Sequence, residues 1–286
     1  MRPFRLYEPT TIKETVARLS ELGDDGKLYA GGTELLLAMK TGLLQYDGLV
    51  NVKTVPELEG VSFSNSGTLN IGARATHSTV EHSADVIAHA PLIASVEHRV
   101  ANVRVRNVGT VVGNLCFAEP HSDPGALLLL YEAEVDIASP SGTRSASVEE
   151  LVVGPYETSL AGDELVTRVR VPLLPNGMRG AYLKFGYHHR PTLGVGAAVS
   201  VTDGKFVDIR LTLGSAPPKP TRMRDAEAVL RGAAVDDPAV AIEAGRIAAE
   251  GCDAIDDLHG SAEYKRHLVQ VFVQRALTEA VERGVK

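Results

Sequence analysis

Two glycine-bearing stretches have the residue types and spacing to do chemistry. The first, Leu28-Tyr29-Ala30-Gly31-Gly32-Thr33-Glu34-Leu35, runs from a short apolar segment into an apolar helix. The second lies in Val103 to Leu130. It holds the basic pair Arg104 and Arg106, the small-residue turn Gly109-Thr110-Val111-Val112-Gly113-Asn114, the carboxylate Asp123 and then an apolar run. Only glycine adopts φ > 0 without steric cost. Successive N–H groups in such turns form anion-binding concavities. Two loops of this kind, each on the edge of a buried element, suit a diphosphate-bearing nucleotide held from two sides. The first loop is not a G-x-G-x-x-G fingerprint, and no P-loop lysine and serine follow it. On spacing alone, ordinary connecting loops stay open. Ser122-Asp123-Pro124 reads as an N-cap with proline at the first helical position.

The elements that must carry these loops follow from pattern. Thr11-x-x-Glu14 is a capping box, and Ile12, Val16 and Leu19 recur at helical spacing as far as about Leu22. A strand over 28–30, a helix over 33–40 and a strand over 48–52 make a β-α-β unit with a parallel pair. That unit sets Gly31-Gly32 between a strand end and a helix start, where free N–H groups and the positive dipole end favour phosphate. Glu34 reads as a helix N-terminal carboxylate or a partner for a sugar hydroxyl. Turn residues near 54–66 mark a boundary. A strand over 68–73, a helix capped by Thr76, helical spacing over 84–100 and a buried helix ending at Leu130 come next. Strands over 134–138 and 163–171 complete this part. The arginines of Val103-Arg104-Val105-Arg106 could face a phosphate, a partner or solvent.

The last third changes character. Strands are expected over 181–189, 194–202 and 206–213, with Asp203-Gly204 as a two-residue hairpin between the second and third. Helices are expected over about 225–230, 238–249 and 262–283. Three antiparallel strands with helices on one face make a small α+β unit. The expected division is 1–55, 56–177 and 178–286.

Composition bounds the function. The chain has 286 residues, enough for two or three compact units. With 44% hydrophobic and 23% charged residues it reads as a folded globular protein. Its net charge of −7, from 36 acidic and 29 basic residues, argues against a nucleic-acid binder. No apolar run approaches the ~20 residues of a membrane helix. The segment MRPFRLYEP lacks the apolar core of a secretion signal, so a cytoplasmic protein is expected. Two cysteines, Cys116 and Cys252, cannot supply the four thiolates of an iron–sulfur cluster. They read as small core residues, and any metal centre belongs on another chain.

Taken together, AGGTELLLAMK and RNVGTVVGNLCFAEPHSDP resemble the flavin-bearing medium subunit of the molybdenum hydroxylases, the family of carbon monoxide dehydrogenase and the xanthine dehydrogenases. The likeness covers almost the whole chain. It implies an α+β fold: a two-subdomain PCMH-type FAD-binding domain, then a three-stranded antiparallel sheet with a helical bundle. It implies that Leu28 to Leu35 form a first diphosphate loop and Thr110, Val111, Val112, Gly113 and Asn114 a second. Asp123 would accept from the ribityl chain, with a plain N-cap as its alternative. Val166 would line the flavin or serve as core. Lys184 would offset charge near the flavin N1–C2 edge or be a solvated strand residue. Val100 would pack near the adenine, and Thr76 would line the pocket. Two departures stand out: Val112 replaces a usual glycine, and Leu193 stands where relatives place an aromatic against the flavin. Tyr187, His188 or His189 are the alternatives for shielding the ring.

The resemblance implies an FAD-carrying electron-transfer subunit. Electrons would come from [2Fe-2S] clusters on a small partner, reduced by a molybdopterin site on a large partner, and leave to NAD+ or another acceptor. A dimer of heterotrimers is implied. The rival expectations are a stand-alone flavin reductase of the same fold, with Cys116 and Glu119 as its one tempting acid–base pair, and a flavin-less docking subunit.

Overall fold

The computed structural model describes residues 1–186 and 190–283. The first unit holds β1 (Arg5–Tyr7), α1 (Ile12–Leu22), β2 (Gly26–Tyr29), α2 (Leu35–Thr41) and β3 (Gly48–Asn51). Its sheet has the order β1-β3-β2, and both pairings are parallel. The expected β-α-β unit is present, with β1 added on the far side of β3. The capping box at α1 is half made. Thr11 Oγ1 accepts from the Glu14 N–H at 3.1 Å, while the Glu14 carboxylate accepts from the Thr10 N–H at 2.8 Å instead of from Thr11. The helix expected from residue 33 begins at Leu35, because Gly32, at φ +72°, breaks the backbone path between β2 and α2.

The second unit contains β4 (Val61–Phe63), β5 (Thr68–Gly72), α3 (His77–Glu81), α4 (Ala84–His89), α5 (Pro91–Glu97), α6 (Val103–Arg106), α7 (Val111–Phe117) and α8 (Pro124–Leu130). It continues through β6 (Glu134–Ser139), β7 (Gly142–Ser147), α9 (Val148–Leu151), β8 (Val152–Gly154), β9 (Glu157–Thr158) and β10 (Leu165–Pro172). Its main sheet runs β4-β5-β10-β6-β7, and all its pairings are antiparallel. The helical stretch over 84–100 is two helices, since Pro91 removes a donor and starts a new one. The stretch read as a glycine turn is mostly helical. Thr110 caps α7, and Gly113 lies inside its first turn.

The last unit comprises β11 (Met178–Phe185), β12 (Leu193–Thr202), β13 (Lys205–Gly214), β14 (Thr221–Arg222), α10 (Arg224–Leu230), α11 (Pro238–Glu250) and α12 (Ala262–Arg283). The sheet has four strands, not three. β14, two residues long, pairs with the end of β13. The hairpin at Asp203-Gly204 is present, with both residues at positive φ. Helix α12 packs on one face of the sheet and α8 of the preceding unit on the other. That explains why every residue of α8 is buried: a helix apolar all round must be covered all round. Three cores result among the described residues: one in the second unit reaching into β11 and β12, one between the last sheet and its helices, and a small one of Leu35, Met39 and Leu49 in the first unit.

Candidate functional site

The two glycine stretches meet. A Cβ built on Gly31 would lie 2.2 Å from the Val108 carbonyl oxygen and 2.6 Å from Gly109 Cα, so the loops are in backbone contact and only hydrogen fits between them. A cleft of about 650 Å³ opens beside this junction, within the usual range for a small-molecule site. It is walled by the first loop, by α7 and the segment after it, by the β10 side of the second unit, and by Arg190 and Pro191.

At the first loop, the N–H groups of Gly31, Gly32, Thr33 and Glu34 have no intramolecular acceptor among the described residues. At the second, the Val111 N–H goes to Ala75 O, the Gly113 N–H to Thr110 Oγ1 and the Asn114 N–H to Thr110 O. That leaves Val112 as the donor of the first turn without a partner among the described residues. Val112 lines the cleft but is buried, and it packs in the core of the second unit.

Leu28, Ala30, Gly31, Gly32, Thr33, Glu34, Leu35, Val100, Thr110, Val112, Gly113, Asn114, Asp123 and Val166 line this one cleft. Tyr29, Thr76, Val111 and Lys184 do not line it. The Tyr29 ring stacks under Lys53 Nζ at 4.1 Å. Thr76 caps α3 and bridges to Thr110. Val111 is core. Lys184 is buried, and its ammonium donates to Asp123 Oδ2 at 2.6 Å and Arg99 O at 3.0 Å.

Asp123 occupies the residue before α8 but caps nothing. Its backbone is helical, and its carboxylate takes Lys184 and, at 3.2 Å, the Tyr182 hydroxyl. Burial pushes the Tyr182 phenol well above its ordinary value, with the Asp123 charge adding to it, so the ring stays a neutral donor. Gly194 makes room for that hydroxyl, since a Cβ there would lie 2.2 Å from it. Leu193 is wholly buried in the last core and faces no cleft. Tyr187, His188 and His189 lie outside the described residues.

Several site residues gave no sequence signal. Arg190 bridges Glu34, at 2.8 Å, and Glu119, at 2.7 Å, across the mouth of the cleft. This ion pair is the partner Glu34 finds. Glu119 also accepts from the Tyr156 hydroxyl at 2.9 Å. His77, buried at the junction of the loops, is held by Glu97. Each pairing joins residues far apart in sequence, and no local spacing announces it. The arginines of α6 turn away from the cleft or into ion pairs: Arg104 is exposed and Arg106 donates to Glu81 at 3.0 Å. Cys116 also lines the cleft, and burial pushes its thiol up to about 12.

An open cleft with unpaired peptide donors at one end and a buried carboxylate along one wall fits an extended dinucleotide with a diphosphate. The family model for the FAD binding domain in molybdopterin dehydrogenase matches residues 2–174, and that for the CO dehydrogenase flavoprotein C-terminal domain matches residues 189–280. The chain is 33% identical to the nicotine 6-hydroxylase medium subunit of Paenarthrobacter nicotinovorans, over 96% of each chain. It is 32% identical to the carbon monoxide dehydrogenase medium chain of Hydrogenophaga pseudoflava, over 97% of this chain and 96% of that one. The solved structure of a carbon monoxide dehydrogenase from Hydrogenophaga pseudoflava, lacking the Mo-pyranopterin moiety of its cofactor, superimposes with a TM-score of 0.95 at 32% identity, covering 100% of both chains.

Proposed function

The chain belongs to the FAD-binding medium subunits of the molybdenum hydroxylases, and we propose that it relays electrons from iron–sulfur clusters on a small partner subunit to NAD+ or another acceptor. A molybdopterin site on a large partner would feed those clusters, in a dimer of heterotrimers in the cytoplasm. FAD, when bound, supplies the redox chemistry; the chain binds it, orients it and shields it. The meeting of the two glycine stretches beside one cleft carries this reading, because it sets the free donors of the first loop on the wall of the same space as the α7 terminus. The residues of the proposed site are Leu28 to Leu35, Thr110 to Asn114, Val100, Asp123 and Val166, with Tyr29, Thr76, Val111 and Lys184 acting from behind. The proposed working units are 1–55, 56–177 and 178–286.

The reading is tested by purifying the chain with the products of its neighbouring genes. A flavin absorption spectrum is expected, together with reduction of NAD+ or of a dye by the substrate of the large subunit. A folded complex that takes up no FAD would end the proposal. Turnover with dye but never with NAD+ would remove NAD+ alone. Two features weigh against a stand-alone reductase: burial raises the Cys116 thiol, which disfavours its role as a proton donor, and Glu119 is tied to Arg190 and Tyr156.

A further inference from the structure

We infer that His77 is a ligand of the FAD diphosphate, oriented by Glu97; this deepens the FAD reading above and rests on it. The position comes from three contacts. The His77 backbone N–H donates to Gly109 O at 2.9 Å, which ties the start of α3 to the second loop. The Cβ position of Gly109 lies 3.2 Å from His77 Cδ2 and 3.5 Å from Thr33 Oγ1. The ring edge that carries Cδ2 and Nε2 therefore stands where the first and second loops meet, on the wall of the cleft.

The orientation comes from Glu97. His77 Nδ1 lies 2.6 Å from Glu97 Oε2, and the two side chains are 3% and 1% exposed. A carboxylate only accepts, so Nδ1 carries the hydrogen and Nε2 is the atom left over. Nε2 has no partner among the described residues, and it is not among their enclosed, unpaired polar atoms. It opens on the cleft.

The chemistry comes from what the other cations do. FAD brings a dianionic diphosphate. Lys184 is held by Asp123, Arg190 by Glu34 and Glu119, and Arg106 by Glu81, while Lys27 also lines the cleft and makes no ion pair among the described residues, so His77 shares that space with a lysine. The Gly113 N–H, which a second diphosphate loop would offer, is taken by Thr110. A phosphate oxygen accepts and never donates, so His77 meets it with a hydrogen on Nε2 as well as on Nδ1. The resulting imidazolium stands between two anions, Glu97 behind and phosphate in front, which is how a buried charge is tolerated.

Two variants separate a ligand from a mere tie between α3 and α5. In His77→Asn the amide overlays Nδ1, keeping the Glu97 contact and leaving the cleft bare. In His77→Gln the amide overlays Nε2, reaching the cleft and losing Glu97. The full chain is stripped of flavin, FAD is titrated by flavin fluorescence, and thermal unfolding of the flavin-free proteins is recorded in parallel. A ligand gives opposite orders in the two measurements. Asn is the more stable variant but binds FAD about ten- to a hundredfold more weakly than wild type, the range for a lost charge-assisted hydrogen bond. Gln is less stable but recovers part of that affinity. FAD affinity of the Asn variant equal to wild type, or of the Gln variant as low as that of Asn, would overturn the inference. Should neither variant fold, ¹⁵N spectra of histidine-labelled wild-type chain decide: FAD must shift the ring nitrogens of one imidazole, and spectra unchanged at every histidine refute it. A wild-type chain that binds no FAD at all would instead sink the flavin reading.

Discussion

Lys184 Nζ sits 2.6 Å from Asp123 Oδ2 with both side chains sealed from solvent, so the lysine of the last sheet reaches the cleft only through the carboxylate it holds. Removing one member of a buried, hydrogen-bonded ion pair strands the other. The typical cost is about 3–5 kcal/mol, whereas removing both is far milder. Lys184→Met should therefore lower stability by about that amount in urea unfolding. Adding Asp123→Asn to it should restore a large part. Strictly additive losses in this double-mutant cycle would mean that the two groups do not depend on each other.

The backbone contact at Gly31 makes a steric prediction. Gly31→Ala would place a methyl 2.2 Å from the Val108 carbonyl oxygen, and a backbone atom cannot swing aside as a side chain can. The loops must part, at a cost of roughly 1–3 kcal/mol for an overpacked contact, and the purified protein should carry little or no flavin. Gly162 is the control. It also lines the cleft, yet nothing lies within 4 Å of its Cβ position, so Gly162→Ala should keep its flavin. Equal flavin content in the two variants would show that the Gly31 contact is slack.

Legibility in the sequence followed the range of the interaction. The hairpin at Asp203-Gly204, the β-α-β start and the proline-led α8 depend on neighbours a few residues apart, and they were readable. The break at Pro91 was also written locally, but the apolar spacing on either side of it hid the division. Elements of two or three residues, β14 and β1, are too short to show a period and exist because a sheet edge recruits them. Asp123 shows the limit. Its local pattern offers a cap, and a lysine 61 residues later takes the carboxylate instead. Arg190 meets Glu34 from 156 residues away, and that separation leaves no trace in spacing.

The thiols should be silent in the native protein. Burial pushes Cys116 up to about 12, with the charge of Lys27 pulling it back less, and Cys252 is wholly buried and also raised by burial. At pH 8 only about one Cys116 in ten thousand is thiolate, the reactive form. Iodoacetamide at that pH should leave the folded chain unmodified over an hour and label both cysteines once denaturant is added, as read by mass. Fast single labelling of the native chain would contradict the raised thiol at Cys116.

The acid side of the stability curve should depend on Asp257. Its Oδ2 takes Lys265 Nζ at 2.5 Å and His121 Nε2 at 2.9 Å, and its Oδ1 takes the His259 N–H at 2.7 Å. Burial works to raise this carboxyl. The hydrogen bonds from Lys265 and from the His259 N–H, with the charges of Lys265 and His121, outweigh it and hold the group below its ordinary value. The folded state thus binds this proton less readily than the unfolded chain does. The contribution of the ionised carboxylate is complete above the unfolded value of about 4 and is lost as pH falls through the lower folded one. Asp257→Asn leaves Lys265 buried beside a neutral amide and should be less stable than wild type by roughly 1–3 kcal/mol at pH 7. That gap should close between about pH 4 and pH 2, where wild type loses the same charge. Urea unfolding of both proteins across that range checks it, and a gap that stays constant to pH 2 would mean that Asp257 gains nothing from its three donors.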